Sequence, residues 1–468
     1  MTKRFAARFV GFSILVSLFS FFASGCSGDS ARLDTPDIDY DPGQPWTLES
    51  AAVPYAGTTI TTAFLDRPGY TAAISLIPEF EERTGIDVVW DVVPYENSRE
   101  FQVLDFISGN PAIDVVLVDL IWLGEFSESG WLTPLDTFIE NPRLTDPTLD
   151  LNDFFPILLD GFGTWDDVLY GLPFDNYSGL LFYNRCHLEE AGFSEPPATW
   201  EDLRDVYLPK LNDPENGRFG YALQARRGET QSCDAFMRFL WPFGGSLLDE
   251  TFRGNLLSLE SQAGLTYRQS LSPLMPPGIV DYDHIEAVNA LAQGKVSMIT
   301  EWSSFYTTLA DPQSSTITEC LAVAPEPSGP ARRVPALGGF SLGVNAASST
   351  AEQEAAWLFV QWITSSEMAR KYIEAGGVSA RQSAYEDLAI RDAYPFVDPM
   401  VASWQDGIPY FRPRFPDWPE ISEHMAEVGS RLMLGELSTE EAGRELNQRV
   451  EAILERSGYY NGSRSLLQ

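Results

Sequence analysis

Polar and aromatic side chains that suit a polyhydroxylated ligand follow three of the predicted strands. They are Asp66 and Arg67 after the strand at 58–65, Asp119 after a buried strand at 112–118, and Trp302 after an alternating strand at 296–300. Carboxylates and guanidiniums can bond two hydroxyl groups at once, and flat rings cover the C–H faces of a sugar. Because open α/β sheets bind ligands at the carboxyl ends of their strands, this placement predicts a ligand pocket.

Further candidates lie in turns between predicted elements. They are Trp122, the run Asp175, Asn176 and Tyr177, Trp241 before Pro-Phe-Gly-Gly, and Arg381 after Gly376-Gly377, with Tyr70, Arg412 and Arg414 as weaker candidates. Each position also has a structural interpretation. Asp119 could cap the next helix, Trp122 could pack in the core, residues 175–177 could form a plain turn, and Arg381 could make a surface salt bridge.

Strands and helices alternate along the chain with short connections. Apolar residues recur at helical spacing over 70–83, and Gly85 follows as a stop signal. A β-branched strand at 86–93 and a helix at 100–107 come next. Capping boxes beginning at Thr199, Ser349 and Ser438 predict three later helices. The alternation indicates an α/β protein with a parallel sheet.

The N-terminal 26 residues read as an export signal. Lys3, Arg4 and Arg8 precede an apolar run at 9–22, which is shorter than the roughly 20 residues that span a bilayer. Small residues then lead into Cys26, a junction that resembles the lipobox of bacterial lipoproteins, with an ordinary secretory signal as the alternative. The sequence predicts a signal peptide over 1–25, lipidation at Cys26, and a flexible tether over 26–55. We expect an exported protein, lipid-anchored to the membrane and facing the periplasm or cell exterior.

Charge and cysteine content exclude several classes of function. The formal charge is −36, and removing the three basic residues of the leader leaves −39. A body this acidic repels nucleic acid and anionic lipid surfaces, so no nucleic-acid partner is expected. Cys186, Cys233 and Cys320 allow at most one disulfide and one free thiol. With three histidines and no zinc-like spacing, we expect no metal and no cofactor.

Six segments, in order over roughly 58–460, resemble the family 1 extracellular solute-binding proteins, which are the sugar-capturing subunits of ABC importers. They are DVVLVDLIWLGEFSESGWLTPLD (114–136), YGLPFDNYSGLLFYNRCHLEEAGFSEPPATWEDL (170–203), FLWPFGGSLLD (239–249), GKVSMITEWSSF (294–305), GGFSLGVNAASSTAEQEAAWLFVQWI (338–363) and EAGGVSARQSAY (374–385). The resemblance implies a ligand-stacking role for Trp302. It also implies one for Phe340, which stands where the family often has tryptophan.

The resemblance implies an α/β, two-lobe periplasmic-binding-protein-like fold of type II, with hinged lobes and the ligand cleft between them. The implied boundaries are 56–175 and 294–340 for the first lobe, and 176–293 and 341–468 for the second. This arrangement puts Cys186 and Cys233 in one lobe, so it favours a bond between them and a free Cys320. The implied partners are a carbohydrate ligand and the permease subunits of an ABC importer, and the chain is expected to be a monomer.

Two other functions remain open at the level of sequence. The same fold could bind a polyamine, a peptide or a polyol phosphate, although no Gly-rich helix start or Lys/Arg cluster favours a phosphate. A lipid-anchored glycosidase would also line its cleft with acids and aromatics, but it needs a carboxylate pair at defined separation. Such a pair cannot be read from sequence, and we expect a binding protein rather than an enzyme.

Overall fold

Ten strands form the sheets of the part of the chain that the structure describes. The structure is a computed structural model, and it describes residues 45–109, 111–228 and 234–460. The strands are β1 (Thr59–Leu65), β2 (Asp87–Val93), β3 (Val115–Asp119), β4 (Thr164–Trp165), β5 (Val168–Leu169), β6 (Gly171–Asn184), β7 (Phe219–Ala222), β8 (Val296–Trp302), β9 (Leu321–Pro325) and β10 (Leu337–Val344). One sheet has the order β2-β1-β3-β10-β6-β8-β7, with β9 also paired to β6, and β4 pairs with β5 alone.

The α-helices of the described residues cover both parts of this sheet. They are α1 (Leu48–Ala52), α2 (Pro68–Thr84), α3 (Tyr95–Ile107), α4 (Leu123–Glu128), α5 (Asp136–Ile139), α6 (Pro156–Leu158), α7 (Arg185–Glu190), α8 (Trp200–Asp202), α9 (Leu208–Leu211), α10 (Asp234–Met237), α11 (Leu259–Leu271), α12 (His284–Ala292), α13 (Tyr306–Ala310), α14 (Thr350–Ile363), α15 (Ser366–Glu374), α16 (Leu388–Ala393), α17 (Val397–Asp406), α18 (Trp418–Met433) and α19 (Thr439–Arg456). Short 3₁₀ and π turns connect several of them.

The long strand β6 belongs to two lobes. Its first half pairs antiparallel with β10, which continues to β3, β1 and β2. Its second half pairs with β8 and β9, and β8 continues to β7. We call the part around β2-β1-β3-β10 the first lobe and the part around β8-β7-β9 the second lobe. The prediction of a two-lobe α/β fold is confirmed.

The local signals in the sequence produce the expected elements. Helix α2 begins with Pro68 at its first position and ends at Gly85, whose φ of 70° is left-handed. Ser349 and Ser438 each form a complete capping box at the start of α14 and α19, and Thr199 accepts a backbone hydrogen bond at the start of α8. The predicted strands at 58–65, 86–93 and 112–118 appear as β1, β2 and β3.

The predicted lobe boundaries in the second half of the chain are wrong in two places. Strands β8 and β9 lie within 294–340, yet they pair with the second half of β6 and so belong to the second lobe. The end of β10 and the helix α14 lie after residue 340, yet β10 pairs with β3, and α14 packs on β1, β3 and β10 of the first lobe. The reason is that β10 inserts antiparallel between β3 and β6, which periodicity along the chain does not reveal.

The disulfide bond also differs from the prediction, because Cys186 is bonded to Cys320 rather than to Cys233. Cys186 lies two residues after the end of β6, in the first turn of α7, and Cys320 directly precedes β9. Strands β6 and β9 pair with Asn184 opposite Leu321. The bond therefore joins neighbouring strand ends within the second lobe. Cys233 and Cys26 lie outside the described residues.

Candidate ligand-binding site

A β-bulge in the middle of β6 places two polar residues where the chain crosses between the lobes. Asp175 and Asn176 together face the single residue Gly339 of β10. Asp175 has φ 49° and Gly339 has φ 120°, both in the left-handed range. A Cβ atom on Gly339 would lie 2.5 Å from the Asn176 Cα, so only glycine fits there. Bulges of this kind redirect side chains next to binding sites.

The two bulge residues have different surroundings. The Asp175 carboxylate accepts a hydrogen bond of 3.2 Å from the Tyr372 hydroxyl, and burial raises the pKa of Asp175 to about 6 even though Arg67 opposes the rise. The Asn176 amide donates to the Phe340 carbonyl oxygen at 3.0 Å. Both side chains are buried, so the crossover between the lobes is a polar point within an apolar core.

Arg412 bridges the two lobes through a pair of buried carboxylates. Its Nη2 lies 3.2 Å from Asp119 Oδ1 at the end of β3 in the first lobe. Its Nε lies 3.5 Å from Asp234 Oδ1 at the start of α10. The Tyr95 hydroxyl donates a further bond of 2.8 Å to Asp119. All three charged side chains are 3 % exposed or less, so this bridge lies inside the protein.

Aromatic rings form a wall on the first-lobe side of this bridge. Tyr95 stacks on Trp122 with ring centroids 5.7 Å apart, and Phe340 packs against both rings. Arg67 donates to the Tyr177 hydroxyl at 2.6 Å and holds its guanidinium 5.2 Å from the centre of the Tyr95 ring. The wall thus combines flat apolar faces with phenol and guanidinium groups at their edges.

A buried charged network supports Trp302 on the second-lobe side. The Arg238 guanidinium lies 5.4 Å from the Trp302 ring centre, and it donates to Glu326 and Gln224 at 2.9 Å each. Next to it, Glu301 accepts from Gln224, from His284 Nδ1 at 2.7 Å and from the Trp302 backbone at 2.9 Å. Trp302 and Tyr177 pack with ring centroids 5.2 Å apart, which joins this network to the first-lobe wall.

These residues make one cluster across both lobes, which we call the inner cluster. Its members are Arg67, Tyr70, Tyr95, Asp119, Trp122, Asp175, Asn176, Tyr177, Asp234, Arg238, Trp302, Phe340 and Arg412. A cavity of about 510 Å³ borders it at Tyr95 and Trp122, and residues Pro419 and Ser422 of α18 line the far side of that cavity. The cavity therefore touches the first-lobe side of the inner cluster.

Several buried polar atoms of this region have no hydrogen-bond partner among the residues that the structure describes. They are Tyr70 Oη, Asn176 Oδ1, Arg238 Nη2 and His284 Nε2. Buried polar atoms are nearly always bonded in proteins. The set contains a donor, an acceptor and two groups that serve as either, which is the bonding capacity that a hydroxylated ligand would satisfy.

The family model for bacterial extracellular solute-binding proteins matches residues 66–370. The chain belongs to this family. It is 25% identical over 449 residues to a probable amino-acid ABC transporter periplasmic-binding protein of Sinorhizobium fredii, covering 88% of this chain and 98% of the relative. It is 24% identical over 353 residues to an erythritol/L-threitol-binding protein of Mycolicibacterium smegmatis, covering 71% and 72%. The crystal structure of an ABC transporter solute-binding protein from Agrobacterium radiobacter in complex with ribitol superimposes with a TM-score of 0.77 at 25% identity, covering 85% and 99%.

Most of the residues predicted from sequence come together in the inner cluster of this solute-binding protein. They are Arg67, Asp119, Trp122, Asp175, Asn176, Tyr177, Trp302 and Phe340. Most of them lie at or just after the end of a strand or at the bulge in β6, whereas Phe340 lies inside β10 next to that bulge. The rule that side chains converge at strand ends therefore predicted most members of this group. It did not predict which of these residues contact one another, because those contacts depend on the pairing of β3, β10 and β6.

Three predicted residues lie elsewhere. Arg381 donates to the carbonyl oxygens of Asp150 and Thr364, and burial lowers its pKa to about 10, so its guanidinium is committed to holding loops of the protein together. Trp241 donates its ring N–H to the Phe411 carbonyl at 2.9 Å and lines a separate groove. Asp66 is exposed at the end of β1. The predictions for Arg381 and Asp66 are not supported by where their side chains lie.

The sequence analysis missed three residues of the inner cluster, Tyr95, Asp234 and Arg238, and gave Tyr70 and Arg412 only as weaker candidates. Tyr95 follows β2 directly, so the strand-end rule that selected Asp119 would have found it. Asp234, Arg238 and Arg412 follow no predicted strand. Arg412 is brought to Asp119 and Asp234, and Arg238 to Trp302, only by the tertiary fold. Sequence spacing carries no signal for such contacts.

Two further observations concern metals and membranes. Over residues 45–109, 111–228 and 234–460, no group of three or more His, Cys, Asp or Glu side chains is arranged to hold a metal ion. Within the same ranges, no helix combines the length and the apolar character that crossing a membrane requires.

Proposed function

We propose that this protein binds a neutral sugar or polyol in the inner cluster and delivers it to an ABC permease, without chemistry of its own. The observation that carries the proposal is the composition of the cluster. Carboxylates, guanidiniums and a carboxamide stand beside the faces of buried aromatic rings, and buried donors and acceptors remain that hydroxyl groups would satisfy. Hydroxyl groups donate and accept, so they suit a mixed set of this kind.

The balance of charge favours a neutral ligand over the alternatives. Each guanidinium of the inner cluster has a carboxylate beside it. Arg412 lies between Asp119 and Asp234, Arg67 is near Asp175, and Arg238 is near Glu326. A polyol phosphate would bring negative charge to a site where carboxylates already match the guanidiniums. A polyamine would compete with those same guanidiniums for the carboxylates. Both would disturb buried pairs that are strongly destabilised when one partner is lost.

Two of the relatives support this choice of ligand class, whereas the relative from Sinorhizobium fredii is named as a probable amino-acid transporter's binding protein. One is named for binding erythritol and L-threitol, and another is a solute-binding protein in complex with ribitol. These ligands are small, uncharged and hydroxylated along their length. They are the kind of molecule that the inner cluster, with acids and guanidiniums close to ring faces, is suited to hold.

We propose that ligand binding is coupled to closure of the lobes. Tyr95, Asp119 and Trp122 belong to the first lobe, whereas Arg238 and Trp302 belong to the second, so a ligand contacts all of them only when the lobes are together. A ligand that binds the closed form better shifts the population toward it. The permease would then recognise the closed form, as the resemblance to importer subunits implies.

The experiment is a thermal-shift screen of the mature chain against polyols, mono- and disaccharides, polyamines and short peptides, followed by calorimetric titration. Trp302→Ala removes a ring face, and Asp119→Asn removes a charged acceptor. Each should weaken binding of the best ligand by roughly 10- to 100-fold, which corresponds to about 1.4–2.8 kcal/mol.

The matched control is Trp90→Ala on β2, since this ring does not belong to the inner cluster and its loss should leave affinity within about twofold. Circular dichroism confirms that each variant is folded. The proposal fails if sugars and polyols do not shift the melting temperature, or if a polyamine or peptide binds best. It also fails if the affinity is the same in Trp302→Ala, Asp119→Asn and the wild type.

We also propose that Cys26 carries a lipid that tethers the monomeric protein to the membrane. The predicted tether over 26–55 is too long, because α1 (Leu48–Ala52) lies within it and packs on α2 and α14 with Leu48, Ala51 and Ala52 buried. The proposal rests on the sequence, because Cys26 lies outside the described residues. The basic residues before the apolar run and the small residues before Cys26 support it.

A further inference from the structure

A small polar cavity of about 130 Å³ lies within the first lobe, and we call it the first-lobe cavity. It is enclosed by the start of α1, the end of α2, the loop at 146–149, the end of α14 and the start of α15. Its lining, among the residues that the structure describes, includes no member of the inner cluster. Sites for larger organic ligands occupy about 300–1,000 Å³, so this cavity has room for a small ion.

A buried guanidinium in the wall of the first-lobe cavity has one nitrogen that the protein does not use. Arg381 is 2 % exposed, and its Nε and Nη1 hold loops together by donating to the carbonyl oxygens of Thr364 and Asp150. Within the described ranges, its Nη2 makes no hydrogen bond to the protein. Because buried polar groups are nearly always bonded, this nitrogen is a donor that a ligand could use.

Protein carboxylates balance the positive charge of Arg381 only in part. Asp153 Oδ2 lies 3.6 Å from Nη1, and the same carboxylate accepts two hydrogen bonds from Ser383. Burial lowers the pKa of Arg381 to about 10, even though Asp153 and Asp150 oppose the fall. A buried charge without a full partner is unfavourable, so an anion beside Nη2 would stabilise the guanidinium.

Further donors belong to the same wall. Trp362 is 4 % exposed, and its ring N–H has no hydrogen-bond partner among the described residues. Ser366 and Glu367 are the first two residues of α15, and the first N–H groups of a helix have no acceptor within it. The start of this nine-residue helix also carries partial positive charge, which adds to the charge of Arg381.

The carboxylates in the wall are already bonded to other groups. Asp146 accepts from the backbone N–H and the hydroxyl of Thr148 at 2.8 Å and 2.7 Å. Glu367 is paired with Arg83 at 3.2 Å. The unused groups at Arg381, Trp362 and the start of α15 are all donors, which is the pattern that binds an anion.

We infer that the first-lobe cavity binds one small oxyanion, such as inorganic phosphate, sulfate or a carboxylate, between Arg381 and the start of α15. The anion would accept from the guanidinium, from the Trp362 ring N–H and from the backbone at Ser366 and Glu367. Every element that lines the cavity belongs to the first lobe, so binding does not require closure of the lobes. The site is therefore independent of the proposed sugar or polyol site.

The test is calorimetric titration of the full mature chain with inorganic phosphate, sulfate and acetate, together with melting curves against sodium chloride of the same ionic strength. Phosphate or sulfate should bind at one ion per chain. The melting temperature should rise in a saturable way by about 2–4 °C, because a ligand that binds only the folded state stabilises it. Tighter binding of acetate would equally support the site and would assign it to carboxylates.

Two variants each remove a single donor. Trp362→Phe keeps an aromatic ring without the N–H, and Ser366→Pro deletes a backbone N–H at the first position of α15, where helices accept proline. Each should weaken anion binding by about tenfold. The matched controls are Trp200→Phe, a buried ring whose N–H also has no partner among the described residues, and Thr439→Pro at the first position of α19. Neither control should change the affinity.

Three results would overturn the inference. The first is that none of the three anions binds in a saturable way. The second is that the affinity is the same in Trp362→Phe, Ser366→Pro and the wild type, which would leave an adventitious ion only. The third is that binding is lost in Arg67→Gln and not in Ser366→Pro, which would place the anion in the inner cluster.

Discussion

Replacing Arg412 by methionine should destabilise the protein strongly, because its guanidinium serves two buried carboxylates at once. Asp119 Oδ1 and Asp234 Oδ1 lie 3.2 Å and 3.5 Å from the guanidinium, and all three side chains are at most 3 % exposed. Methionine has a similar length and an apolar character, so it removes the positive charge without opening a large hole. What remains is negative charge on both sides of a position that no longer carries a cation.

The expected magnitude follows from the burial of the pair. Removing one partner of a buried ion pair costs about 3–5 kcal/mol, because the other charge stays in a medium of low dielectric constant. Tyr95 still donates to Asp119 at 2.8 Å, so we expect the lower part of that range. Native proteins are stable by about 5–15 kcal/mol in total. A loss of about 3 kcal/mol would therefore be a large fraction of the free energy of unfolding.

The assay is urea denaturation of the ligand-free protein, monitored by tryptophan fluorescence at several pH values between 5 and 8. The free energy of unfolding of Arg412→Met should be about 3 kcal/mol below that of the wild type at pH 8. Adding Asp119→Asn to Arg412→Met should restore part of the loss, and the double-mutant cycle measures the coupling. Arg370→Met is the matched control, since its ion pairs with Glu374 and Asp387 are exposed and contribute about 0–1 kcal/mol. A loss below about 1 kcal/mol at every pH would refute the buried interlobe bridge.

Three other outcomes are expected. Burial raises the pKa of Asp175 from 3.8 to about 6, so ionisation of this carboxyl destabilises the folded state by about 3 kcal/mol above pH 6. This destabilisation decreases as pH falls and is gone below pH 4, so Asp175→Asn should raise the melting temperature at pH 7.5 and not at pH 3.5. An equal shift of the melting temperature at both pH values would contradict this account. Cys186→Ser should cost about 2–5 kcal/mol of stability because the bond to Cys320 closes a loop over a sequence separation of 134, and non-reduced peptide mapping that found Cys320 unpaired would count against it. Cys26→Ala should move the protein to the soluble fraction and abolish labelling with a fatty acid. A wild-type protein that takes up no labelled fatty acid would instead indicate an ordinary secretory signal.

The outcome for the cysteines illustrates why lobe assignment is harder than element assignment. Capping residues, Gly85 and the alternation of apolar residues are local signals, and they placed β1, β2, β3 and α2 to within a few residues. The assignment of Cys320 depended on which lobe the chain occupies after β8. That choice is made by strand pairing between distant segments, so the predicted bond to Cys233 was wrong.

The sequence by itself determined the class of fold, the family and the group of residues at strand ends. Asp119 and Trp302 could be identified because each ends a recognisable strand and strand ends carry ligand contacts. Their meeting point was not predictable, since β3 and β8 run in opposite directions, each toward the crossover in β6. Tertiary structure alone decided which charges meet. Arg412 reaches Asp119 from 293 positions away, and Arg381, which has the same guanidinium, is held by backbone carbonyls instead. Both are arginines on irregular segments, so no local property separates them. The physical reason is that desolvation and ion pairing depend on the neighbours that folding supplies, whereas secondary structure depends on neighbours that the chain already has.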